Sequence, residues 1–212
     1  PFLIFGCTSI PHEWVISELL GYDDSLDPKK PGGRPSKFEL ARGGSIFFQN
    51  IDDLPLEAQA ILLNVLDLGI MQRLGSDRPI EIDVRVIAST SANIEKLIAQ
   101  GNFRADLYYR LSAFEINLPP LRERLEDVPV LVDRILERIS RQLERPIVLE
   151  SGVMELLVSY RWPGNVRELE AVLSRAAVQS GPSGLIGLLL LPANIQAIES
   201  SPLNANQQCL LN

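Results

Sequence analysis

The residues with the most direct chemical consequence are two neighbouring amides, Gln49 and Asn50, at the end of a short apolar segment. Residues 43–51 read Gly-Gly-Ser-Ile-Phe-Phe-Gln-Asn-Ile, a pattern typical of a buried strand. Carboxylates at the end of such a strand can hold the Mg²⁺ shell and orient an attacking water in phosphoryl transfer. An amide is neutral, so it can neither balance a divalent cation nor accept a proton. Two amides at this position could therefore form hydrogen bonds but could not perform that chemistry.

Other polar residues near this pair have ordinary structural explanations. Asp52 and Asp53 follow the strand end, where carboxylates that precede a helix are favoured by the helix dipole. His12 follows Pro11 at a helix start, and a lone histidine there is more often a surface residue than a catalyst. The chain has no metal-ligand spacing, so we expect no metal site.

Composition narrows the class of protein and its partners. The chain has 212 residues, enough for one α/β domain and a small helical one, and 46% apolar residues fit a globular core. A net charge of −7 argues against direct nucleic-acid binding by this segment. The longest aliphatic run, 188–191, is too short to cross a bilayer, and two cysteines without metal spacing fit a reducing compartment. We therefore expect a cytoplasmic protein that contacts neither nucleic acid nor membrane through this segment.

The elements that position the amides form an α/β pattern. Apolar segments at 2–7, 45–48 and 84–88 alternate with helical patterns, which predicts a mostly parallel sheet covered on both faces. Pro55 opens a helix, and we expect its buried face to consist of Leu56, Ala60, Leu63 and Leu66.

The pattern changes beyond Pro119 and Pro120. Three helical segments follow with no strand between them, which predicts a separate helical lid. We place the α/β core at 1–125, the lid at 126–198 and a polar tail at 199–212.

Six segments, taken in order, carry a much more specific pattern. Two of them read Phe-Arg-Ala-Asp-Leu-Tyr-Tyr-Arg-Leu and Trp-Pro-Gly-Asn-Val-Arg-Glu-Leu, and all six lie at 38–44, 54–59, 83–88, 103–111, 118–124 and 162–169. In this order and spacing they closely resemble the AAA+ central domain of bacterial enhancer-binding proteins, the activators of the sigma-N form of RNA polymerase. The resemblance covers roughly residues 1–200. It implies an AAA+ type, P-loop-like parallel sheet flanked by helices, with a small helical lid.

The resemblance assigns roles to three arginines. Arg104 and Arg110 match the family's arginine fingers, which reach the nucleotide of the neighbouring subunit and stabilise charge on the transferring phosphoryl group. Arg167 matches the sensor arginine that touches phosphate within its own subunit. A guanidinium suits these roles because it is always charged and can bond two oxygens at once. The alternative is that each arginine is solvated or ion-paired and simply holds helices together.

The departures from the family are more informative than the matches. Gln49 and Asn50 replace the Asp-Glu pair of the Walker B strand, and Ser91 replaces the sensor asparagine. The stretch 25–30 reads Ser-Leu-Asp-Pro-Lys-Lys where the family carries the Gly-Ala-Phe-Thr-Gly-Ala signature that grips the sigma factor. The aromatic residue, the threonine and both glycines of that signature are absent, and the stretch offers charge and proline where contact with a protein partner favours an aromatic anchor.

The phosphate-binding loop of the family is also missing, since no Gly-x-x-x-x-Gly-Lys-Ser/Thr occurs anywhere in the chain. In the family this loop follows an interior strand that precedes the position of Pro1. Two explanations remain open. Either these residues are a piece of a longer chain, which is the simpler explanation, or the flanking strands close on each other or on a partner.

Our leading hypothesis is a degenerate AAA+ module that acts in transcription control as a regulatory or assembly domain, with weak or no ATP hydrolysis. The alternative is part of an ATP-binding AAA+ ATPase whose phosphate-binding loop lies upstream, and a third reading keeps ATP as a structural ligand without hydrolysis. We expect ATP or ADP with Mg²⁺ to bind weakly or not at all. The implied partners are like subunits, which form rings in the family, and the sigma factor of RNA polymerase or a regulatory protein.

Overall fold

The computed structural model describes residues 1–24 and 33–197 and divides the chain into two compact units. The first unit is Pro1–Ile116, and the second begins at Asn117. The predicted division into a core at 1–125 and a lid at 126–198 stays a prediction. The predicted tail at 199–212 lies outside the described residues.

The first unit alternates strands and helices. Its strands are β1 (Phe2–Gly6), β2 (Gly44–Gln49), β3 (Ile70–Gln72), β4 (Pro79–Glu81) and β5 (Val84–Ser89). Its helices are α1 (His12–Leu20), α2 (Lys37–Leu40), α3 (Leu56–Leu68), α4 (Ile94–Ala99) and α5 (Ala105–Leu111). Short 3-10 turns follow β1 and β2, at Cys7–Ser9 and Ile51–Asp53.

Strands β1, β2 and β5 form a parallel sheet in that order, while β3 and β4 form an antiparallel hairpin. Phe5 pairs with Phe48, and Phe48 pairs with Ala88, so these side chains share one face of the sheet. Phe5 and Phe48 are fully buried, with ring centroids 5.4 Å apart. They pack in one core with apolar side chains of three helices, which are Val15, Leu19, Phe38, Ala58 and Leu62. The α/β fold with a parallel sheet and flanking helices is confirmed.

The opposite face of the sheet is exposed in the described part of the chain. Phe2 is 63% exposed, Ile4 62% and Ile87 37%, and the ring of Phe2 stacks on Phe47 with centroids 6.4 Å apart. Parallel sheets normally bury both faces under helices. The prediction that this sheet is covered on both faces is therefore wrong for the described residues.

The buried face of α3 also differs from the predicted one. Leu56 is 47% exposed, whereas the buried residues of the helix are Ala58, Gln59, Leu62 and Val65. Apolar residues lie on nearly every side of this helix, so periodicity did not identify the side that packs on the sheet. The unexpected buried residue is Gln59, a polar side chain with no exposure.

The second unit is mostly helical. Its helices are α6 (Val128–Gln142), α7 (Val153–Ser159), α8 (Asn165–Gln179) and α9 (Ala193–Gln196). The first three are the predicted helices, but two short strands that were not predicted, β6 (Val148–Leu149) and β7 (Leu185–Ile186), pair in parallel beside them. Trp162 is fully buried in this unit, and its indole N–H donates to the carbonyl of Leu157 at 2.8 Å. No helix within residues 1–24 and 33–197 is long and apolar enough to cross a membrane.

The stretch 25–30, predicted to be a degraded sigma-contact loop, lies outside the described residues, but the two sides of its base are joined. The backbones of Tyr22 and Arg34 exchange two hydrogen bonds, of 3.0 and 2.7 Å. Gly21 has a φ of 65°, and a Cβ at this position would lie 2.2 Å from the carbonyl oxygen of Arg34. Glycine is therefore required where the chain leaves α1. The base of the loop is also held by an ion pair between Arg34 and Glu18, at 2.6 Å.

Glu39 of α2 joins the next segment to the hairpin. Its carboxylate accepts hydrogen bonds from the Arg73 guanidinium at 2.6 and 3.0 Å and from the backbone N–H of Ser36 at 2.9 Å. Partial burial alone would raise the pKa of Glu39, but the hydrogen bonds from Arg73 and Ser36 outweigh it and hold this pKa below its ordinary value. The ionised carboxylate therefore stabilises the folded state.

We expect Glu39→Gln to lower the free energy of unfolding at pH 7 by about 1–3 kcal/mol, because charged hydrogen bonds to Arg73 and Ser36 are lost. Since the folded-state pKa is lowered, this stability is present above the unfolded pKa and is lost as the pH falls through the folded one. Urea denaturation at several pH values should show the difference from wild type shrinking below about pH 4. The matched control is Glu115→Gln at an exposed position. A difference that stays constant with pH would contradict the assignment.

Candidate site at the carboxyl end of the sheet

The three parallel strands end at one edge, where the candidate residues gather. Gly6 pairs with Gln49, and Gln49 pairs with Ser89, so the carboxyl ends of the strands lie side by side. Ligands of open α/β sheets bind at this edge. Gln49 and Asn50 lie at the end of β2, and Ser91 lies two residues beyond β5, exposed at the same edge. The structure therefore places these three predicted residues together.

A chain of hydrogen bonds holds the Asn50 amide at this edge. The Asn50 Nδ2 donates to the Thr8 hydroxyl at 3.0 Å, and that hydroxyl donates to Asp53 Oδ2 at 2.8 Å. On the other side, the Thr90 hydroxyl donates to Asp52 Oδ1 at 2.6 Å. The two aspartates lie in the turn Ile51–Asp53, before α3, and each accepts a hydroxyl from a neighbouring strand end. They therefore tie the strand ends together, a role that the helix-start interpretation did not include.

The backbone at Asn50 is unusual as well. Asn50 has φ 55° and ψ 60°, the left-handed conformation that glycine and asparagine adopt most readily. An ordinary side chain pays a steric cost there. Asn50 thus combines a backbone role at the sharp turn after β2 with its side-chain bond to Thr8.

The side chains at this edge do not fit a catalytic Mg²⁺ site. Gln49 and Asn50 are neutral, and the two carboxylates nearby are already hydrogen-bonded to Thr8 and Thr90. Within residues 1–24 and 33–197, no group of three or more His, Cys, Asp or Glu side chains could hold a metal ion.

Cys7 lies just beneath the site and is not a nucleophile. Burial raises its pKa to about 12, and the negative charges of Asp53 and Asp52 add to the effect. The thiol is therefore protonated at neutral pH and behaves as a small core side chain.

Arg104 and Arg110 lie at opposite ends of α5, both with exposed side chains. Arg104 precedes the helix and pairs with Asp106 at 2.7 Å. This hydrogen-bonded ion pair raises the pKa of Arg104 and lowers that of Asp106. Arg110 donates to the carbonyl of Leu66 at 3.0 Å and pairs with Asp67 at 3.1 Å, at the carboxyl end of α3.

Arg167 belongs to the second unit, and its predicted contact with phosphate stays a prediction. It is exposed in the first turn of α8. The start of this helix is fixed by Glu168, which accepts from the backbone N–H of Gly164 at 2.8 Å, and by Asn165, which accepts from the backbone N–H of Leu121 at 2.8 Å.

The sequence interpretation missed Thr8, Thr90 and Gln59. A signal existed for the two threonines, because each follows an apolar strand and parallel strands end at one edge. Gln59 ends the matching segment 54–59, but its burial gave no signal, since a glutamine in an amphipathic helix is normally exposed.

Comparison with known proteins identifies the two parts of the chain. The family described as the Sigma-54 interaction domain matches residues 1–117, and the AAA+ ATPase lid domain matches residues 122–208. Sigma-54 is another name for sigma-N.

Two curated regulators illustrate the similarity. The nitric oxide reductase transcription regulator NorR2 of Cupriavidus necator is 46% identical over 185 residues, covering 87% of this chain and 36% of that protein. The Nif-specific regulatory protein of Enterobacter agglomerans is 41% identical over 186 residues, covering 88% of this chain and 36% of that protein. The chain therefore spans about a third of the length of these relatives.

A solved structure agrees with the fold. NtrX from Brucella abortus, crystallised in complex with ATP, superposes with a TM-score of 0.81 and 31% identity, covering 98% of this chain and 48% of NtrX.

Replacing Asn50 should separate its backbone role from its side-chain role. Asn50→Ala and Asn50→Gly both lose the bond to Thr8, but only alanine pays the steric cost of the left-handed conformation. We expect the alanine variant to be less stable than the glycine variant by about 1 kcal/mol in urea denaturation. Equal stabilities, or a more stable alanine variant, would contradict a left-handed Asn50.

Proposed function

Because the chain belongs to the Sigma-54 interaction domain family and carries an AAA+ lid, we propose that it is a regulatory or assembly domain in transcription control with weak or no ATP hydrolysis. Membership of this family supports a role in sigma-54-dependent transcriptional regulation. The proposal concerns what this particular domain does within that role.

One observation carries the proposal: the strand end that would supply two acids supplies two amides, and one of them is bonded elsewhere. Asn50 donates to Thr8, so its side chain is engaged within the sheet edge. Loss of a positioned proton acceptor typically reduces a rate by about 10²–10⁴-fold. Neither Asp52 nor Asp53 is a ready substitute, because each already accepts a threonine hydroxyl.

We also propose ligands, partners and a cellular location for this domain. ATP was bound in the NtrX structure; for this chain we propose that ATP or ADP with Mg²⁺ binds weakly or not at all. The first partner is a like subunit, approached through Arg104 and Arg110, and the second is the sigma factor of RNA polymerase or a regulatory protein. A net charge of −7 supports the view that this domain itself does not bind DNA. We place the protein in the cytoplasm, where transcription occurs.

Phosphate release tests the loss of hydrolysis. The native protein that contains this domain should show no Mg²⁺-dependent phosphate release above background. The same protein with Gln49→Asp and Asn50→Glu should be faster by about 10²-fold, because a metal ligand and a proton acceptor return. Robust wild-type turnover that Arg104→Ala abolishes would overturn the proposal.

A second candidate is an ATP-binding AAA+ domain whose phosphate-binding loop lies upstream of Pro1. The observation that favours it is the exposed apolar face of the sheet, at Phe2, Ile4 and Ile87. A parallel sheet of this kind is stable with helices on both faces. A strand and helix carrying the loop would supply that missing layer.

Labelling of an engineered cysteine tests the second candidate. In a Cys209→Ser background, Ile4→Cys should react with a thiol reagent about tenfold more slowly in a longer native chain than in residues 1–212, because burial protects thiols. Native Cys7 should not react with the reagent, since it is buried and its pKa is raised. The control is Trp14→Cys on α1, at a position 60% exposed, which should label equally in both. Equal labelling at position 4 would exclude a covering segment.

A further inference from the structure

Gln59 is the one fully buried residue of the described core with an amide side chain, and its hydrogen-bonding groups are all engaged with backbone. Its Nε2 donates to the carbonyls of Leu54 at 2.7 Å and Asn102 at 3.2 Å. Its Oε1 accepts from the backbone N–H of Arg104 at 2.8 Å. The amide therefore has one orientation only, because a flip would place like groups against each other.

These three bonds join distant parts of the first unit. Leu54 follows the turn that begins at Asn50, and Gln59 lies one turn into α3. Asn102 and Arg104 form the segment that leads into α5. A single side chain thus connects the strand end that carries the amide pair to the first residue before the arginine-bearing helix.

The Arg104 side chain cannot provide this anchoring itself. Its guanidinium is 41% exposed and pairs with Asp106, only two residues away and also exposed. An exposed pair of this kind fixes the local rotamer but not the position of the backbone. The buried contact that fixes the backbone of Arg104 is the bond to Gln59, supported by the buried neighbours Phe103 and Leu107.

We propose that Gln59 is the positioning residue for Arg104: it sets where the guanidinium meets a neighbouring like subunit and links that position to the turn at Asn50. The inference rests on the proposed function, in which like subunits contact one another through Arg104. It assigns to Gln59 a role in subunit contact that its place in the core does not reveal. Gln59 itself touches no partner.

The first measurement is amide hydrogen exchange by NMR on the free protein. Gln59→Met keeps the length of the side chain but removes all three bonds. The Arg104 amide should exchange about tenfold faster in this variant. The Phe48 amide in β2 should keep its wild-type rate. The control is Gln142→Met, at an exposed position of α6, which should leave both amides unchanged. An unchanged Arg104 amide, or equal acceleration throughout the first unit, would overturn the inference.

The second measurement is self-association by sedimentation velocity for wild type, Gln59→Met, Arg104→Ala and the double variant. Each single variant should weaken association about tenfold, and the double variant should be no weaker than Arg104→Ala, because both act through one contact. A further tenfold loss in the double variant would show that Gln59 acts independently of Arg104, against the inference. Weakening by Arg104→Ala alone, with Gln59→Met like wild type, would also overturn it while leaving the proposed function intact. A wild type that stays monomeric, or association indifferent to Arg104→Ala, would instead overturn the proposed subunit contact.

Gln59→Glu distinguishes a role of the hydrogen bonds from a role of packing alone, because only the hydrogen bonds depend on pH. A carboxyl at this position keeps an acceptor for Arg104 but can donate to a carbonyl only when protonated, and burial raises its pKa. Association of this variant, expressed relative to wild type at the same pH, should recover as the pH is lowered. A ratio that does not change with pH would count against the hydrogen bonds as the source of the effect.

Discussion

The parallel register of β1, β2 and β5 is the constraint on which the site depends. Because Gly6, Gln49 and Ser89 are paired across the sheet, every residue that follows a strand emerges at the same edge. Thr8, Asn50 and Thr90 meet there although they are far apart in sequence. Hydrogen bonds connect these residues to one another or to the aspartates of the next turn. The edge has the geometry of a ligand site, but Asn50 and the two threonines are already hydrogen-bonded within it.

The two arginines at the ends of α5 are held by α3 in different ways. Arg110 is tied directly to the end of α3 through Leu66 and Asp67. The guanidinium of Arg104 pairs only with the nearby exposed Asp106, while its backbone N–H is held by a buried glutamine one turn into the same helix. Helix α3 therefore supports both ends of α5. Its own start is set by the turn at Asn50, so the amide-bearing strand and the arginine-bearing helix share one rigid element.

The sequence predicted those features whose physical basis is local. Apolar runs predicted the three parallel strands, and the helical segments beyond Pro120 predicted the first three helices of the second unit. Gln49 and Asn50 were identified because they end an apolar strand, and Ser91 was identified through the resemblance to enhancer-binding proteins. The buried face of α3 was mispredicted because leucine, isoleucine and valine surround that helix, so only the packing partner chooses the side. Gln59 could not be found by pattern, since its burial is stable only when three backbone groups from two other segments converge on it. The exposed side of the sheet was unforeseen because residue type does not reveal whether a layer is present to cover it.

That exposed side has a consequence for how the chain behaves in concentrated solution. Among the described residues β5 pairs only with β2, so its outer edge presents unpaired N–H and C=O groups beside the apolar Ile87. An unpaired strand edge next to an exposed apolar surface is a template for strand addition by other molecules. The negative charge of the chain opposes such encounters through long-range repulsion, which salt weakens. Aggregation of this polypeptide therefore depends on the balance between association at the unpaired sheet edge and repulsion between negatively charged chains.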